Sequence, residues 1–409
     1  MHLHLLGKFK QLLSLRNLPF KGSLKDEQLE IITDAGILYD QQGTIVDIGN
    51  FEQLIKAYPT ATIERIEGDA VALPGWIDCH THICFGGNRA ADYALRIAGV
   101  PYLEIAKQGG GIKDSVRKTR NASAEELLRT LLIRLNQNAQ LGITTCEIKS
   151  GYGLDKENEL KMLQVIQEAA QKHPIEIVPT CLAAHVCPPE FQSPEAYLEY
   201  VVQEIFPILK KQQLSQRIDI FVEETAFDYP IALPYLQKAQ QAGFDITIHA
   251  DQFSNAGSRL AVALNALSAD HLEASGEAEI KALANSEVVA VVLPGASLGL
   301  GMPFAPARKL LDEGATVAIA SDWNPGSAPM GDLLLQASVM AAQQKLSTAE
   351  TFAALTFRAA KALKKNNIGR LEKGFQADLV VFPTQDYREI LYWQGQMKPR
   401  ITYKKGKKM

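Results

Sequence analysis

The stretch "ALPGWIDCHTHICFGGNR", residues 72–89, ends an apolar run with two histidines, His80 and His82. Side chains alternate along a strand, so residues two apart point to the same side, and both imidazoles can face one site. The same spacing occurs at His2 and His4 in "MHLHLLG". Spacing alone therefore does not identify a metal site. Whether His80 and His82 form one depends on their position in the fold.

Apolar, β-branched runs of strand length recur eight times after residue 69. They are "AVALPGWID" (70–78), "ITTCEIKS" (143–150), "IEIVPTCLAA" (175–184), "IDIFVEET" (218–225), "FDITIHA" (244–250), "ALSADH" (266–271), "VVAVVLPG" (288–295) and "TVAIAS" (316–321). Helical patterns separate them, such as 122–142, with a capping box at Ser123 and Glu126, and 155–173. This alternation predicts a (β/α)8 TIM-type barrel. A doubly wound open sheet is the alternative, but no GxGxxG supports it.

The two ends of the chain do not follow this alternation. Residues 35–49 predict two strands around a turn, and residues 369–382 predict a turn and a strand. We therefore expect residues 1–70 and 368–409 to form a small β-sandwich-like domain beside a barrel of residues 71–367. The longest segment between barrel strands, 83–142, contains "FGGNR" and "QGGGIKDS", and we expect it at the barrel mouth, where such loops contact substrates.

Composition indicates a globular protein without nucleic-acid or membrane partners. The 409 residues are 46% hydrophobic and 22% charged, with a net charge of −4 and a pI near 6.1. No global positive field therefore attracts nucleic acid or an anionic membrane. The sequence contains neither a cleavable leader pattern nor a run of roughly eighteen apolar residues. Its five cysteines lack a CxxC motif, which favours a reducing, cytoplasmic location.

In a barrel of this kind the active site lies where the strands end. Five of the eight histidines fall at such positions: His80, His82, His185, His249 and His271. The other polar candidates there are Asp78, Lys149, Tyr152, Glu223, Glu224, Gln252 and Asp322. We expect His2 and His4 to precede any packed element, and His173 precedes a strand, so we assign these three no function.

Several imidazoles converging with a carboxylate predict a metal site. Three neutral imidazoles and one carboxylate suit zinc, iron(II) or manganese and leave a position for water. Such an ion lowers the pKa of bound water toward ~7, which provides a nucleophile near neutral pH. Asp322 can then act both as ligand and as acceptor of the water's proton. The residues therefore predict metal-assisted hydrolysis of a small molecule.

Several motifs resemble the amidohydrolase superfamily: "PGWIDCHTH" after the first strand, one histidine each ending strands five and six, and "SDWNPG" at strand eight. Within it, "FGGNR", "GGGI", "EIKSGYGLD", "AAHVCPPE", "VEETAF", "IHADQ", "ALSADHLE" and "NPGSAP" resemble the imidazolonepropionases over essentially the whole chain. The resemblance implies hydrolysis of the cyclic amide 4-imidazolone-5-propanoate to N-formimino-L-glutamate, in L-histidine degradation. It also implies one divalent ion, zinc or iron, a cytoplasmic location and a homodimer.

The resemblance implies metal-binding, substrate-binding and catalytic residues in this sequence. The implied metal ligands are His80, His82, His249 and Asp322. The implied substrate contacts are Arg89, Tyr152, His185, Gln252, Asn324, Gly326 and Ser327, and the implied catalytic residues are Asp322, His271 and Gln252. The planar guanidinium of Arg89 suits the propanoate carboxylate, and the hydroxyl of Tyr152 offers that group a second contact.

Two positions depart from the family pattern. Many relatives have glutamate where this chain has Gln252; because an amide cannot take a proton near neutral pH, Gln252 can only orient water or substrate. Base chemistry then falls to Asp322, with His271 assisting and stabilising the oxyanion. Trp323 stands where many members have a small residue, so its ring either reshapes the pocket or packs behind the loop.

Three alternatives stay open on the sequence. The same metal cage serves deaminases and cyclic amidases that act on a different small heterocycle. A barrel that has lost catalysis and serves as a scaffold belongs to another functional class, although such a chain is expected to have lost a ligand. Glu223 and Glu224 at the end of strand four allow a bridged two-metal site, although we expect one ion.

Overall fold

A computed structural model describes residues 2–100, 104–105, 109–224 and 226–409. Its strands are β1 (Leu3–Leu13), β2 (Ile31–Asp40), β3 (Ile45–Asn50), β4 (Thr62–Arg65), β5 (Val71–Pro74), β6 (Trp76–Asp78), β7 (Ile143–Lys149), β8 (Glu176–Ala184), β9 (Arg217–Phe221), β10 (Asp245–Ala250), β11 (Ser268–His271), β12 (Val289–Val292), β13 (Thr316–Ile319), β14 (Leu379–Phe382), β15 (Ile401–Lys404) and β16 (Lys407–Lys408). Parts of the predicted mouth segment and of "VEETAF" lie outside the described residues.

Helices connect most of these strands. They are α1 (Phe51–Ala57), α2 (Ala90–Ile97), α3 (Ile112–Asn121), α4 (Ala124–Gln140), α5 (Lys156–Lys172), α6 (Pro194–Tyr200), α7 (Phe206–Gln212), α8 (Tyr229–Gln241), α9 (Gly257–Ala263), α10 (Glu277–Ala284), α11 (Pro294–Leu300), α12 (Ala307–Asp312), α13 (Leu333–Gln344), α14 (Thr348–Leu355), α15 (Phe357–Ala362) and α16 (Arg388–Tyr392). Within the described ranges, no helix combines the length and apolar character needed to span a bilayer.

Eight parallel strands, β6 to β13, form the predicted barrel, and each pairs with the next one along the chain. The barrel closes between its first and last strands, where Thr81 bridges Trp323 and the amide of His82 donates to the Trp323 carbonyl at 2.9 Å. Every residue of β12 and β13 is buried, as expected for parallel strands covered by helices. The (β/α)8 prediction is confirmed, and each of the eight predicted runs overlaps a barrel strand.

A second sheet is built from both ends of the chain, in the order β16-β15-β14-β5-β1-β2-β3, with β4 paired to β1. β14 runs antiparallel to β5, so the last strands join the first ones directly. Its apolar cluster includes the fully buried side chains of Phe9, Leu379 and Tyr403. His4 lies within β1 and stacks on Tyr39 with ring centroids 5.5 Å apart. The expectation that His4 precedes any packed element is therefore wrong, and its role is structural.

The first predicted run, residues 70–78, divides between the two sheets. β5 pairs with β1 and β14 in the second sheet, whereas β6 pairs with β7 in the barrel. Gly75 lies at the crossing, where an added Cβ would stand 2.3 Å from Thr144 Cγ2, so only glycine fits this close approach. We propose that the second domain includes residues 71–74 as well as 1–70 and 368–409, because the hydrogen-bond partners of β5 lie there.

Buried charges connect the second sheet to the barrel. Lys404 on β15 lies 2.7 Å from Asp378 and 3.0 Å from Glu176, at the start of β8. Lys365 lies 2.5 Å from the other carboxylate oxygen of Glu176. Of these pairs, Lys404–Glu176 crosses from the second sheet to the barrel, and Asp378 and Lys365 complete the group around it.

Candidate metal centre and active site

A cavity of about 580 Å³ opens at the carboxyl ends of the barrel strands. Its lining includes His82, Arg89, Tyr152, His185, His249, Gln252, His271, Asp322, Asn324 and Ser327. His80 is completely buried beside His82. Strand-end position, read from the sequence, thus brings seven of the twelve strand-end candidates to the cavity lining, whereas Asp78, His80, Lys149, Glu223 and Glu224 are not part of that lining.

Four donor atoms converge at this cavity. The Nε2 atoms of His80 and His249 each lie 3.2 Å from His82 Nε2. Asp322 Oδ1 lies 3.4 Å from His82 Nε2 and 3.6 Å from His80 Nε2. Ligands held ~2.0–2.1 Å from a tetrahedral zinc ion are about 3.3–3.4 Å apart, which matches these spacings. These four residues form a cage with spacings that suit one divalent ion. Among the described residues, the potential metal ligands fall into two clusters that share His80: one with His82 and Asp322, the other with His249 and His271.

Carboxylates orient two of the three imidazoles from behind. His80 Nδ1 lies 2.6 Å from Asp270 Oδ2, and His249 Nδ1 lies 2.9 Å from Asp219 Oδ2. A proton on each Nδ1 faces the carboxylate, which leaves the Nε2 lone pair for a metal. Burial lowers the pKa of His80, His82 and His249 below the ordinary value. The three rings are therefore neutral, as metal binding requires.

Asp322 reaches the cage because of the turn that follows β13. Its backbone has φ of 50°, uncommon for a residue other than glycine, and its amide donates to the His80 carbonyl at 3.0 Å. Asp78 accepts hydrogen bonds from the Ser321 amide and hydroxyl at 3.0 and 2.5 Å, so it anchors this turn rather than a ligand imidazole. Burial raises the pKa of Asp322 to about 6, against the effect of His271; a bound cation lowers it again.

His271 stands beside the cage, with its ring centroid 5.4 Å from that of His249. Its Nδ1 lies 3.5 Å from Glu273 Oε2. Burial lowers the pKa of His271, but Glu273 and Asp322 outweigh burial and raise the pKa above its ordinary value. This ring holds a proton more readily than the ligand imidazoles, which suits a donor to developing negative charge.

Arg89 borders the cavity and lies against the loop after β13. A Cβ on Gly326 would stand 1.5 Å from Arg89 Nη2, so the guanidinium occupies the space that a larger residue would need. Arg89 Nε is buried and has no hydrogen-bond partner among the described residues. A buried donor without a partner costs free energy, and a carboxylate in the cavity would satisfy it.

Tyr152 and His185 form another part of the cavity wall, with ring centroids 5.5 Å apart. His185 also stacks on His82 at 5.5 Å. Burial, with help from His249, lowers the pKa of His185 to about 3, so this ring is neutral. Its Nδ1 lies 3.0 Å from the Gly151 carbonyl, which fixes the proton on Nδ1 and leaves Nε2 as an acceptor.

The loop after β13 holds its shape through Asn324. Its Oδ1 accepts from the amides of Gly326 and Ser327 at 2.7 and 2.8 Å. Its Nδ2 donates to the Asp322 carbonyl at 2.7 Å. Asn324 thus links this loop to the backbone of Asp322, a proposed metal ligand.

The two departures from the family pattern lie in different surroundings. Gln252 lines the metal cavity and is 7% exposed, so its amide can meet a ligand. Trp323 packs against Gly331, where an added Cβ would stand 2.3 Å from the indole Cε3. It lines a neighbouring pocket with Arg134, so its ring packs behind the loop.

Glu223 and Glu224 belong to neither cluster of potential metal ligands found among the described residues. Glu223 instead accepts from the amides of Phe253 and Ser254 at 2.8 and 3.1 Å. Glu224 is exposed. Glu223 therefore holds the loop that carries Gln252, and the geometry favours one ion over a bridged pair.

Sequence analysis missed the charged residues that support the cage. Asp219 and Asp270 contact the ligand imidazoles, and Glu147 lies beside Lys149 on the same strand. A signal was present, because a carboxylate inside an apolar strand is expensive unless it is paired. Arg96 was also missed, and it lines the cavity.

Sequence comparisons match the chain to a family model and to named relatives. The profile of the amidohydrolase family matches residues 231–409. An imidazolonepropionase of Bdellovibrio bacteriovorus is 39% identical over 412 aligned residues, covering 99% of this chain and 96% of that protein. Those of Fusobacterium nucleatum and Rubrobacter xylanophilus are 39% and 41% identical, covering 94% and 90% of this chain and 93% and 89% of their own.

Solved structures share the fold at lower identity. A zinc-bound adenosine deaminase from Xanthomonas campestris has a TM-score of 0.71 at 18% identity, covering 99% of this chain and 92% of that one. A guanine deaminase from C. acetobutylicum with guanine in its active site has a TM-score of 0.67 at 16% identity, covering 100% of both chains. These likenesses show a common architecture of a barrel with an additional β-sheet domain.

Proposed function

The chain belongs to the imidazolonepropionase family of amidohydrolases, and from that membership we propose how its residues carry out the family's reaction. The reaction hydrolyses 4-imidazolone-5-propanoate, a cyclic amide, to N-formimino-L-glutamate in histidine degradation. The observation that carries this proposal is the cage of His80, His82, His249 and Asp322, in a cavity that Arg89 also lines.

The cage holds one divalent ion, zinc or iron. Three neutral imidazoles and one carboxylate suit both metals, and the spacing of the donor atoms supports a single ion. When bound, the ion lowers the pKa of water and polarises the ring carbonyl of the substrate.

Proton transfer falls to Asp322 and His271. Asp322 takes the proton of the attacking water and passes it to the ring nitrogen as the carbon–nitrogen bond breaks. His271, with its raised pKa, donates a hydrogen bond to the carbonyl oxygen as negative charge develops there. Gln252 cannot take a proton at neutral pH and orients the water or the ring.

Arg89 binds the propanoate, because its buried Nε has no hydrogen-bond partner among the described residues and a carboxylate would supply one. Tyr152 supplies a second contact to the same carboxylate. His185 presents Nε2 as an acceptor for a ring N–H of the substrate. The loop that follows β13 closes around the substrate through Asn324, Gly326 and Ser327.

The first experiment follows the ultraviolet absorbance of 4-imidazolone-5-propanoate mixed with purified, metal-replete protein. We expect rapid loss of absorbance, and a rate at least about a thousandfold lower for Asp322→Asn, which lacks both a ligand and the proton carrier. Asp312→Asn, which changes a surface carboxylate with its side chain 59% exposed, should keep the wild-type rate.

A rate no faster than spontaneous decay, with metal confirmed in the protein, would contradict the substrate assignment. The same protein would then be assayed with guanine, cytosine and hydantoins, because another deaminase or cyclic amidase of the superfamily is the alternative.

We also propose that the protein acts on this small molecule as a cytoplasmic homodimer, without nucleic-acid or membrane partners. Its five cysteines are thiols, four of them buried, which fits a reducing compartment. Exposed apolar side chains at Ile97, Tyr392 and Trp393 offer surface for a subunit contact. Light scattering at micromolar concentration should give about 90 kDa, twice the chain mass of 44.9 kDa; the monomer mass would contradict the dimer.

A further inference from the structure

A buried group of charges lies next to the metal cage. Glu147, Lys149, Asp219 and Asp270 are all 0% exposed. Lys149 Nζ lies 2.8 Å from Glu147 Oε2, 2.8 Å from Asp219 Oδ2 and 3.8 Å from Asp270 Oδ2. An ammonium group inside a barrel is expensive to bury, and the reaction proposed above does not use it.

Two of these carboxylates are the ones that hold the ligand imidazoles. Asp219 Oδ2 meets Lys149 Nζ on one side and His249 Nδ1, at 2.9 Å, on the other. Asp270 Oδ2 likewise lies between Lys149 Nζ and His80 Nδ1, at 2.6 Å from the latter. In both cases one oxygen atom links the ammonium group to a ligand imidazole.

Lys149 is one of two cations that offset the negative charge of the group. Glu147 Oε1 accepts from the Thr180 hydroxyl at 2.5 Å and lies 3.4 Å from Arg217 Nη2. Three carboxylates therefore face two cations, Lys149 and Arg217. Without Lys149, Asp219 and Asp270 would lose the ammonium group that lies between them, and buried acidic groups that lose a cation are no longer held in place by it.

We propose that Lys149 is a positioning residue for the metal ligands. Its ammonium group holds Asp219 and Asp270 where they keep a proton on Nδ1 of His249 and His80, so that both Nε2 lone pairs point at the ion. The described lining of the cavity does not include Lys149, so it acts on metal affinity and not on substrate binding. This inference rests on the proposed metal site.

The test measures the zinc dissociation constant of the full chain by competition with a chromophoric chelator. Lys149→Met should weaken zinc binding about 10–100-fold. At saturating zinc, its KM for the imidazolone should stay within about twofold of wild type. Lys404→Met is the matched control, because it removes another buried lysine with two carboxylate partners, in the second sheet. It should lose stability and keep its zinc affinity.

Wild-type zinc affinity in folded Lys149→Met overturns the inference. If that variant does not fold, the zinc affinities of Asp219→Asn and Asp270→Asn test the inference instead. Each of these variants keeps the ammonium group and removes a surplus negative charge. A loss of zinc affinity of about 10-fold or more in either variant supports the inference. Wild-type affinity in both overturns it, since Lys149 would have nothing to act through. Failure of the wild-type chain to bind zinc or iron contradicts the proposed function instead.

Discussion

Arg89 is the side chain that we propose to bind the propanoate. Its planar fork fits a carboxylate in two contacts, which a lysine cannot reproduce. We expect Arg89→Lys to raise KM about 10–100-fold with a smaller change in kcat, because the lost contact is to a part of the substrate that does not react. Steady-state kinetics checks this, with the exposed Arg129→Lys as a control that leaves both constants unchanged. A fall in kcat at constant KM would assign Arg89 to the chemistry instead.

The residues of the cage could be predicted from the sequence because local patterns along the chain place them at strand ends. His80 and His82 follow the end of β6, and the same strand-end position adds His249 and Asp322. The metal-ligand roles themselves stay predictions that the zinc titration tests.

The supporting carboxylates could not be predicted, because their contacts depend on the pairing of neighbouring strands. His249 lies opposite Asp270 in the ladder of β10 and β11, yet its imidazole contacts Asp219, two positions before the residue paired with it in β9. A shift of one residue would turn these side chains to the other face. The surroundings of Trp323 likewise depend on Gly331, eight residues farther on.

The junction between β8 and β15 makes stability depend on pH. Burial alone would raise the pKa of Glu176, but Lys404 and Lys365 lower it from 4.5 to about 2. Because the unfolded chain binds this proton more readily, the contribution is present above pH ~4.5 and is lost as the pH falls toward ~2. We expect Glu176→Gln to remove about 3 kcal/mol of this acid-sensitive stability.

Urea unfolding at pH 6 and pH 3 measures that difference. The wild type should lose more free energy of unfolding between the two pH values than Glu176→Gln does. Glu168→Gln, which alters an exposed pair with Lys172, should behave as wild type. Equal losses in wild type and Glu176→Gln would show that the junction contributes nothing.

Gly75, where the chain crosses from one sheet to the other, tolerates no side chain. An added Cβ would meet Thr144 at 2.3 Å, so Gly75→Ala should destabilise the fold by about 1–3 kcal/mol. Gly49→Ala is the control, since an added Cβ there meets no atom within 4 Å. Equal urea midpoints for the two variants would contradict the close approach. The sequence predicts residues 70–78 as one strand because the run is mostly apolar, and the division appears only in the pairing of β5 with β14 and of β6 with β7.

The proposed ion ties together distant parts of the barrel, so its removal should destabilise the whole molecule. Its ligands follow β6, lie on β10 and follow β13. A ligand present at a thousand times its dissociation constant stabilises by about 4 kcal/mol, which predicts a fall in Tm of roughly 5 °C on chelation. Calorimetry of metal-loaded, chelated and reloaded protein checks this. A Tm that chelation leaves unchanged would contradict a bound ion.

The barrel could be predicted because the same strand and helix pattern recurs eight times along the chain. The second sheet could be predicted only in part. Residues 35–49 and 369–382 do contain strands, as their turns and apolar runs indicate. Their order could not be foreseen, because β5 pairs with β14 across about 300 residues of intervening chain, and no local pattern reports a contact of such separation.

This pairing of early and late strands has a consequence for protein synthesis. Ribosomes add roughly 5–20 residues per second, so β14 emerges roughly 15–60 seconds after β5, its partner in the sheet. For that interval the edge of β5 has no partner strand, and an open edge invites pairing with other nascent chains. During translation of the barrel, the open edge of β5 is therefore exposed to aggregation. Chaperones that bind extended apolar segments are suited to cover it.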